Sequence, residues 1–201
     1  MDDVYDQARV NTYTNGNQDT PAITVLADGS YVVVWTSYTQ DGVTSYGVYA
    51  QRFTASGVPA GPEFRINTTT GNNQSDASVA ALSDGGFVVT WTDSAKDGNG
   101  EGIYAQRYDV NGAAQGGETL VNFTTASTQN ESSVAAYTGG YVVTWTSYNN
   151  TGDLSSYGVY AQRYNNDGTL NGTEFRVNTT TTGYQYESDV AANADGSFVV
   201  V

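Results

Sequence analysis

One loop of this chain sets oxygen ligands at alternate residues, Asp97-Gly98-Asn99-Gly100-Glu101-Gly102. Side chains at alternate positions of such a turn face one centre, and the glycines let the backbone wrap around it, as in the opening of a calcium loop. Asp97, Asn99 and Glu101 are therefore the candidate metal ligands, and Ca2+ is the expected ion. The closing bidentate acid is missing, with Tyr108 at its place, so a plain glycine-rich turn competes with the metal reading. The equivalent loops offer one acid each, Asp41 and Asp153. Loop tyrosines supply a second chemistry. Tyr38, Tyr46, Tyr148, Tyr157 and Tyr184 stand near Asn and Asp, and aromatic faces beside amides and carboxylates suit the C–H faces and hydroxyls of sugars. Tyr38, Asp41, Tyr46, Tyr148, Asp153 and Tyr157 form the candidate ligand-binding set.

The chain contains no histidine and no cysteine. The usual general base and the thiolate ligands are both missing, and no disulfide framework can form. Catalysis would fall to carboxylates, to Lys96 or to a metal. Paired acids can hydrolyse glycosides, but no two acids stand out. Asp28, Asp84 and Asp195 head tight turns and are explained by turn chemistry. A glutamine followed by an acid recurs at Gln18-Asp19, Gln74-Ser75-Asp76, Gln129-Asn130-Glu131 and Gln185-Tyr186-Glu187. These residues either hydrogen-bond neighbouring units together or line one face as repeated ligand sites; the structural role is the first expectation. On these grounds the sequence reads as no enzyme.

The elements that must position these residues come from a repeat. Asp28–Thr68 returns from Asp84, returns again from Thr138 and begins a fourth time at Asp195. Trp35, Trp91 and Trp145 mark the copies, as do Gln51-Arg52, Gln106-Arg107 and Gln162-Arg163, 54 to 56 residues apart. Fixed self-similarity at that period marks a repeat architecture. Each unit reads as four strands: a small-residue strand, an Asp-Gly or Gly-Gly turn, an apolar strand, a Val-Tyr-Ala-Gln-Arg strand and an alternating outer strand. Four antiparallel strands per unit, stacked face to face, predict an all-β β-propeller with about 3.5 blades of ~55 residues per chain. A β-trefoil needs three units and no more, so the propeller is ahead.

The whole chain, 1–201, is expected to be a single repeat domain. Residues 1–12 form a closing outer strand, 20–68 the first blade, 76–123 the second, 131–179 the third and 187–201 part of a fourth. Val4-Tyr5-Asp6-Gln7 echoes the third strand of a unit without its connecting loop. Three assemblies stay open: a compact ring with one defective blade, two half-rings joined as a homodimer, or a piece of a longer array. Trp35, Tyr49, Trp91, Tyr104, Trp145 and Tyr160 are expected between blades. The recurring arginines are expected to pair with Glu63, Glu118 and Glu174 at the rim.

The net charge is −14, with 7 Lys and Arg against 21 Asp and Glu. Phosphate backbones and anionic membranes would be repelled, so neither nucleic acid nor a membrane is an expected partner. Met1-Asp2-Asp3 does not open a signal peptide, and no apolar run is long enough for a membrane-spanning helix.

The words YVVVWTSYTQDGVTSYGVYAQRF and EFRINT, with their copies, resemble the tandem repeats of very large secreted bacterial proteins, in which RTX calcium-binding segments, adhesin modules or cadherin-like domains are companions. The resemblance implies an extracellular or cell-surface setting and supplies no activity. A weaker similarity links the plan to FG-GAP propellers, which hold calcium in acidic loops; only Asp97, Asn99 and Glu101 match that pattern in part. The functional expectation is a non-catalytic extracellular binding or adhesion module recognising glycans or surface proteins, with calcium in its loops. The alternatives are a structural spacer that dimerises to complete a ring and, more weakly, a carboxylate-based glycosidase.

Overall fold

The computed structural model describes residues 8–148 and 157–201. Strands are the only regular elements among them: β1 (Gln18–Val25), β2 (Tyr31–Tyr38), β3 (Tyr46–Phe53), β4 (Phe64–Arg65), β5 (Gln74–Ala81), β6 (Phe87–Asp93), β7 (Gly102–Tyr108), β8 (Ala114–Leu120), β9 (Gln129–Tyr137), β10 (Gly140–Tyr148), β11 (Tyr157–Asn165), β12 (Phe175–Arg176), β13 (Val190–Ala192) and β14 (Phe198–Val200). They form three antiparallel sheets of four strands in sequential order and a two-stranded sheet, β13-β14. The Val4–Gln7 echo lies outside the described residues.

Core packing occurs between successive sheets. Val32, Val34, Val48 and Ala50 of the first sheet cluster with Val79, Phe87, Val89 and Trp91 of the second. Val88, Ile103 and Ala105 on the other face of the second sheet cluster with Val143, Trp145 and Tyr160 of the third. A central strand covered on both faces has no solvent side, so β2, β6 and β10 open on nearly continuous apolar runs and are buried except at Tyr31, Tyr38 and Tyr148. The three tryptophans are 4% exposed or less; Trp91 and Trp145 sit in the packing between sheets, whereas Trp35 packs with Val33, Tyr49 and Phe53 of its own sheet and with Val10. The result is a propeller-like all-β fold.

The innermost strands run side by side. Ala81 donates its N–H to Thr24 Oγ1 (3.1 Å), Val134 to Ser78 Oγ (3.3 Å), and the Ser133 hydroxyl donates to Asp189 Oδ1 (2.7 Å). Small residues permit this approach, as the small-residue first strand predicted.

Two details depart from expectation. The first strands begin about four residues earlier than the small-residue run, because pairing with the second strand continues beyond a β-bulge. The outer strands β4 and β12 shrink to two residues, whereas β8 has seven. The first and third units keep only an isolated bridge before the outer strand, Phe53↔Pro59 and Tyr164↔Leu170, while in the second unit Tyr108↔Ala114 and Arg107↔Gln115 pair directly after a tight turn.

Consecutive units are latched by side chains. Asn67 accepts the Val48 N–H (2.8 Å) and donates Nδ2 to Thr69 O (2.7 Å) and to Gln74 Oε1 (2.8 Å). Asn122 does the same with Ile103, Thr124 and Gln129, and Asn178 with Val159, Thr180 and Gln185. The recurring glutamine is thus structural. The glutamates of the outer strands have a different role from the one expected. Glu63 accepts the Thr12 N–H (2.7 Å), Glu118 the Thr68 N–H, and Glu174 the Phe123 N–H (2.7 Å), each reaching back to the preceding unit. The arginines look elsewhere: Arg52 donates to the carbonyls of Val110 and Asn111, Arg107 pairs with Asp84 at 3.4 Å, and Arg65 lies 4.0 Å from Asp41.

Candidate functional site

The bulges decide where the acids go. Trp35, Trp91 and Trp145 each lie opposite two residues of the first strand: Thr20 and Pro21, Asp76 and Ala77, Glu131 and Ser132. The first residue of each pair has a positive φ, 44° at Thr20, 54° at Asp76 and 56° at Glu131, and Glu187 repeats this at 56° in the fourth unit. A non-glycine side chain in the left-handed region is strained by about 1 kcal/mol or more, and bulges often re-aim side chains beside functional sites. Here four successive units carry the same strained turn at the same end of their innermost strands.

Among the clefts at that end, two are lined by these acids. The one between the third and fourth units encloses about 270 Å³ and is lined by Asn130, Glu131, Thr146, Tyr157, Tyr184, Tyr186 and Glu187. The Glu131 carboxylate is held by two donors, the Thr146 hydroxyl (3.1 Å) and the Glu187 N–H (3.3 Å). The Glu187 N–H also faces Thr146 Oγ1 at 3.1 Å. Glu131 is thus fixed against the backbone of the next acid, while Glu187 itself is exposed. Beside them Tyr148 and Tyr157 pack with ring centroids 4.9 Å apart, and Tyr184 meets Tyr157 edge-on at 5.7 Å. Tyr184 and Tyr186 are 68% and 56% exposed, leaving aromatic surface free for a ligand.

The second cleft, between the first and second units, encloses about 320 Å³; Asp19, Thr20, Tyr46, Asp76, Thr92 and Glu101 contribute to its wall. Tyr46 packs on Tyr38 at 4.9 Å.

The structure thus brings together some expected residues and separates others. Tyr148, Tyr157 and Tyr184 join around the first cleft, and Tyr46 reaches the second with Tyr38 behind it. Asp41 is turned inward: its side chain is 1% exposed, it accepts the Val43 N–H (3.3 Å), and Arg65 is its ionic partner. Asp153 lies outside the described residues. Asp97 accepts the N–H of Asn99 (2.9 Å), closing a local turn, whereas the Glu101 carboxylate accepts from Asn130 Nδ2 (2.9 Å) of the next unit. Burial, then the charges of Asp97, Asp93 and Glu118, push the Tyr104 phenol up to about 12. Among the described residues no group of three or more His, Cys, Asp or Glu is arranged to hold a metal. The residues that sequence reasoning set aside are Asp76, Glu131 and Glu187. Their recurrence after glutamine was the signal, and the bulge that aims them had none.

No family model and no curated protein matches the chain. Solved structures do. The chain is similar to a thermostable family-43 glycoside hydrolase (TM-score 0.56, 14% identity, covering 90% of this chain and 63% of that one). It is similar to an endo-arabinase from Bacteroides thetaiotaomicron (TM-score 0.52, 18% identity, 92% and 70%) and to the Hadza microbial sialidase Hz136 (0.55, 11%, 86% and 39%). The chain therefore spans less than two thirds of the first of these proteins. At such identities the likeness is one of fold.

The comparison corrects two expectations, that the chain is a non-catalytic binding or adhesion module and that it is no enzyme. Solved structures that share this fold include a family-43 glycoside hydrolase and arabinanases. The repeat explains each acid singly, but repeats arranged side by side also bring equivalent residues together, as Glu131 and Glu187 are at one cleft.

Proposed function

We propose that this protein is a carboxylate-based glycoside hydrolase built on about three and a half propeller blades, with its reacting groups in the cleft between the third and fourth units. One observation carries the reading: Glu131 and Glu187 line the same cleft as Tyr157, Tyr184 and Tyr186. The shared fold with glycoside hydrolases supports it.

Hydrolysis of a glycosidic bond requires one carboxyl group to protonate the departing oxygen and a second, ionised, to activate water or to attack the sugar carbon. Glu131 suits the second role, because the Thr146 hydroxyl and the Glu187 N–H fix the orientation of its carboxylate. Glu187, exposed and hinged on a strained residue, suits proton delivery to the leaving group. The tyrosine faces hold sugar rings by C–H contact while their hydroxyls meet those of the sugar. Polymeric glycans are met outside cells, and an extracellular setting accords with this role.

The test is hydrolysis of arabinan and a panel of aryl glycosides by the protein and by Glu131→Gln and Glu187→Gln. General acid–base groups contribute about 10²–10⁴-fold, so each substitution should lower kcat by that order while the melting temperature holds. Absence of hydrolysis across the panel, or undiminished rates in both variants, sinks the proposal.

A further inference from the structure

The cleft between the first and second units has a different chemistry, and the hydrolytic reading does not use it. Three carboxylates, Asp19, Asp76 and Glu101, contribute to its wall, with the ring of Tyr46 beside them. No lysine or arginine lines it among the described residues. Ser75 donates its hydroxyl to Asp76 Oδ2 at 2.9 Å, and Glu101 accepts from Asn130 at 2.9 Å, so two of the acids are held in place. Tyr46 is anchored by its backbone N–H on Asn73 Oδ1 at 3.2 Å.

An independent observation points to a ligand. Thr92 is only 2% exposed, forms part of the cleft wall, and its hydroxyl has no hydrogen-bond partner. Its counterparts are both satisfied: Thr36 Oγ1 lies 2.7 Å from Thr20 Oγ1, and Thr146 donates to Glu131. A buried hydroxyl without a partner is disfavoured, and a polar group arriving from the cleft would satisfy it.

We propose that this cleft binds an amino sugar, with the protonated amine among Asp19, Asp76 and Glu101, the sugar face on Tyr46, and a ring hydroxyl on Thr92. Carboxylates attract the ammonium, the phenol face attracts it further, and the missing bases would otherwise have welcomed an acidic sugar. Among the described residues no acids are grouped to hold a metal, and the carboxylates beside an aromatic face suit an organic cation.

The experiment is isothermal titration at about pH 6, where an amine of ordinary basicity is protonated. Protein carrying Glu131→Gln is used so that turnover does not consume the probe. The probes are a glucosamine trimer, its N-acetylated counterpart and a galacturonic acid trimer. The glucosamine trimer should bind at least about tenfold more tightly than the acetylated one, and its affinity should fall as salt is raised. Asp76→Asn should weaken it about tenfold or more, and Thr92→Val several-fold, with Thr92→Ser retaining affinity. Equal binding of the acetylated or acidic trimer, no binding of the glucosamine trimer, or unchanged affinity in both Asp76→Asn and Thr92→Val would overturn the proposal. Loss of neutral-glycan hydrolysis in Glu131→Gln is read separately, so the two proposals can fail independently.

Discussion

Replacing Asn67 by alanine should be far more damaging than the same change at Asn178, although both asparagines make the same three hydrogen bonds. Asn67 is 1% exposed, and its partners Val48 and Gln74 are fully buried. Removing its side chain leaves the Val48 N–H and Gln74 Oε1 without partners where water does not reach. Each such orphan costs about 1–3 kcal/mol, so the pair costs about 2–6 kcal/mol. For a chain of this length each kcal/mol lowers the melting temperature by about 2–4 °C, and the expected fall is about 4–24 °C. Asn178 is only half-buried, and so is Gln185. Water can replace most of what Asn178→Ala removes, leaving the ordinary net value of about 1 kcal/mol and a shift of a few degrees. Calorimetric melts of both variants decide the matter. Equal shifts, or a shift at Asn67 of less than about 3 °C, would refute the view that buried asparagine latches hold consecutive units together.

Two further outcomes follow from the same structure. Burial raises the Glu118 carboxyl, but the bonds from Lys96 and Thr68 outweigh it and hold the group below its usual value; the resulting stability is present above the unfolded carboxylate value of about 4.3 and is lost as pH falls through the folded one. The melting temperature should therefore fall between about pH 5 and 3 by more in the unmodified protein than in Glu118→Gln, and parallel curves would contradict this. Glu187→Gly relieves a residue held at φ 56° and should raise the melting temperature modestly while abolishing hydrolysis; a lowered melting temperature would show that the turn is not strained.

Much of the fold was legible because it was written three times. The Trp and Gln-Arg markers gave the period, and the Asp-Gly turns gave the hairpins. The nearly continuous apolar runs Tyr31–Trp35 and Phe87–Trp91 announced central strands covered on both faces. The bulges were not legible, since left-handed backbone is ordinarily read from glycine, and Thr20, Asp76, Glu131 and Glu187 are not glycine. Without the bulge the first strand was placed too short, and the acids just before it were assigned to connections. The tyrosines were expected in loops by their polar neighbours, but Tyr148 ends β10 and Tyr157 begins β11, and cross-strand pairing is what brings these two together. Asp41 and Asp97 each accept an N–H of their own turn, and alternate oxygens look alike in sequence whether they face an ion or cap such a turn.

The bulge has one more consequence. In every unit the backbone twists at the same point, whether the residue there is a threonine, an aspartate or a glutamate. Shape is imposed by pairing on either side of the turn, and chemistry is chosen by a single side chain that the rest of the sheet does not depend on. A chain that grows by copying this unit therefore gains, with each copy, one more position free to vary. One such row can set a reacting acid, a cation-binding acid and a neutral hydroxyl along a common edge. New specificities then arise by single substitutions at that edge, without refolding the scaffold that presents it.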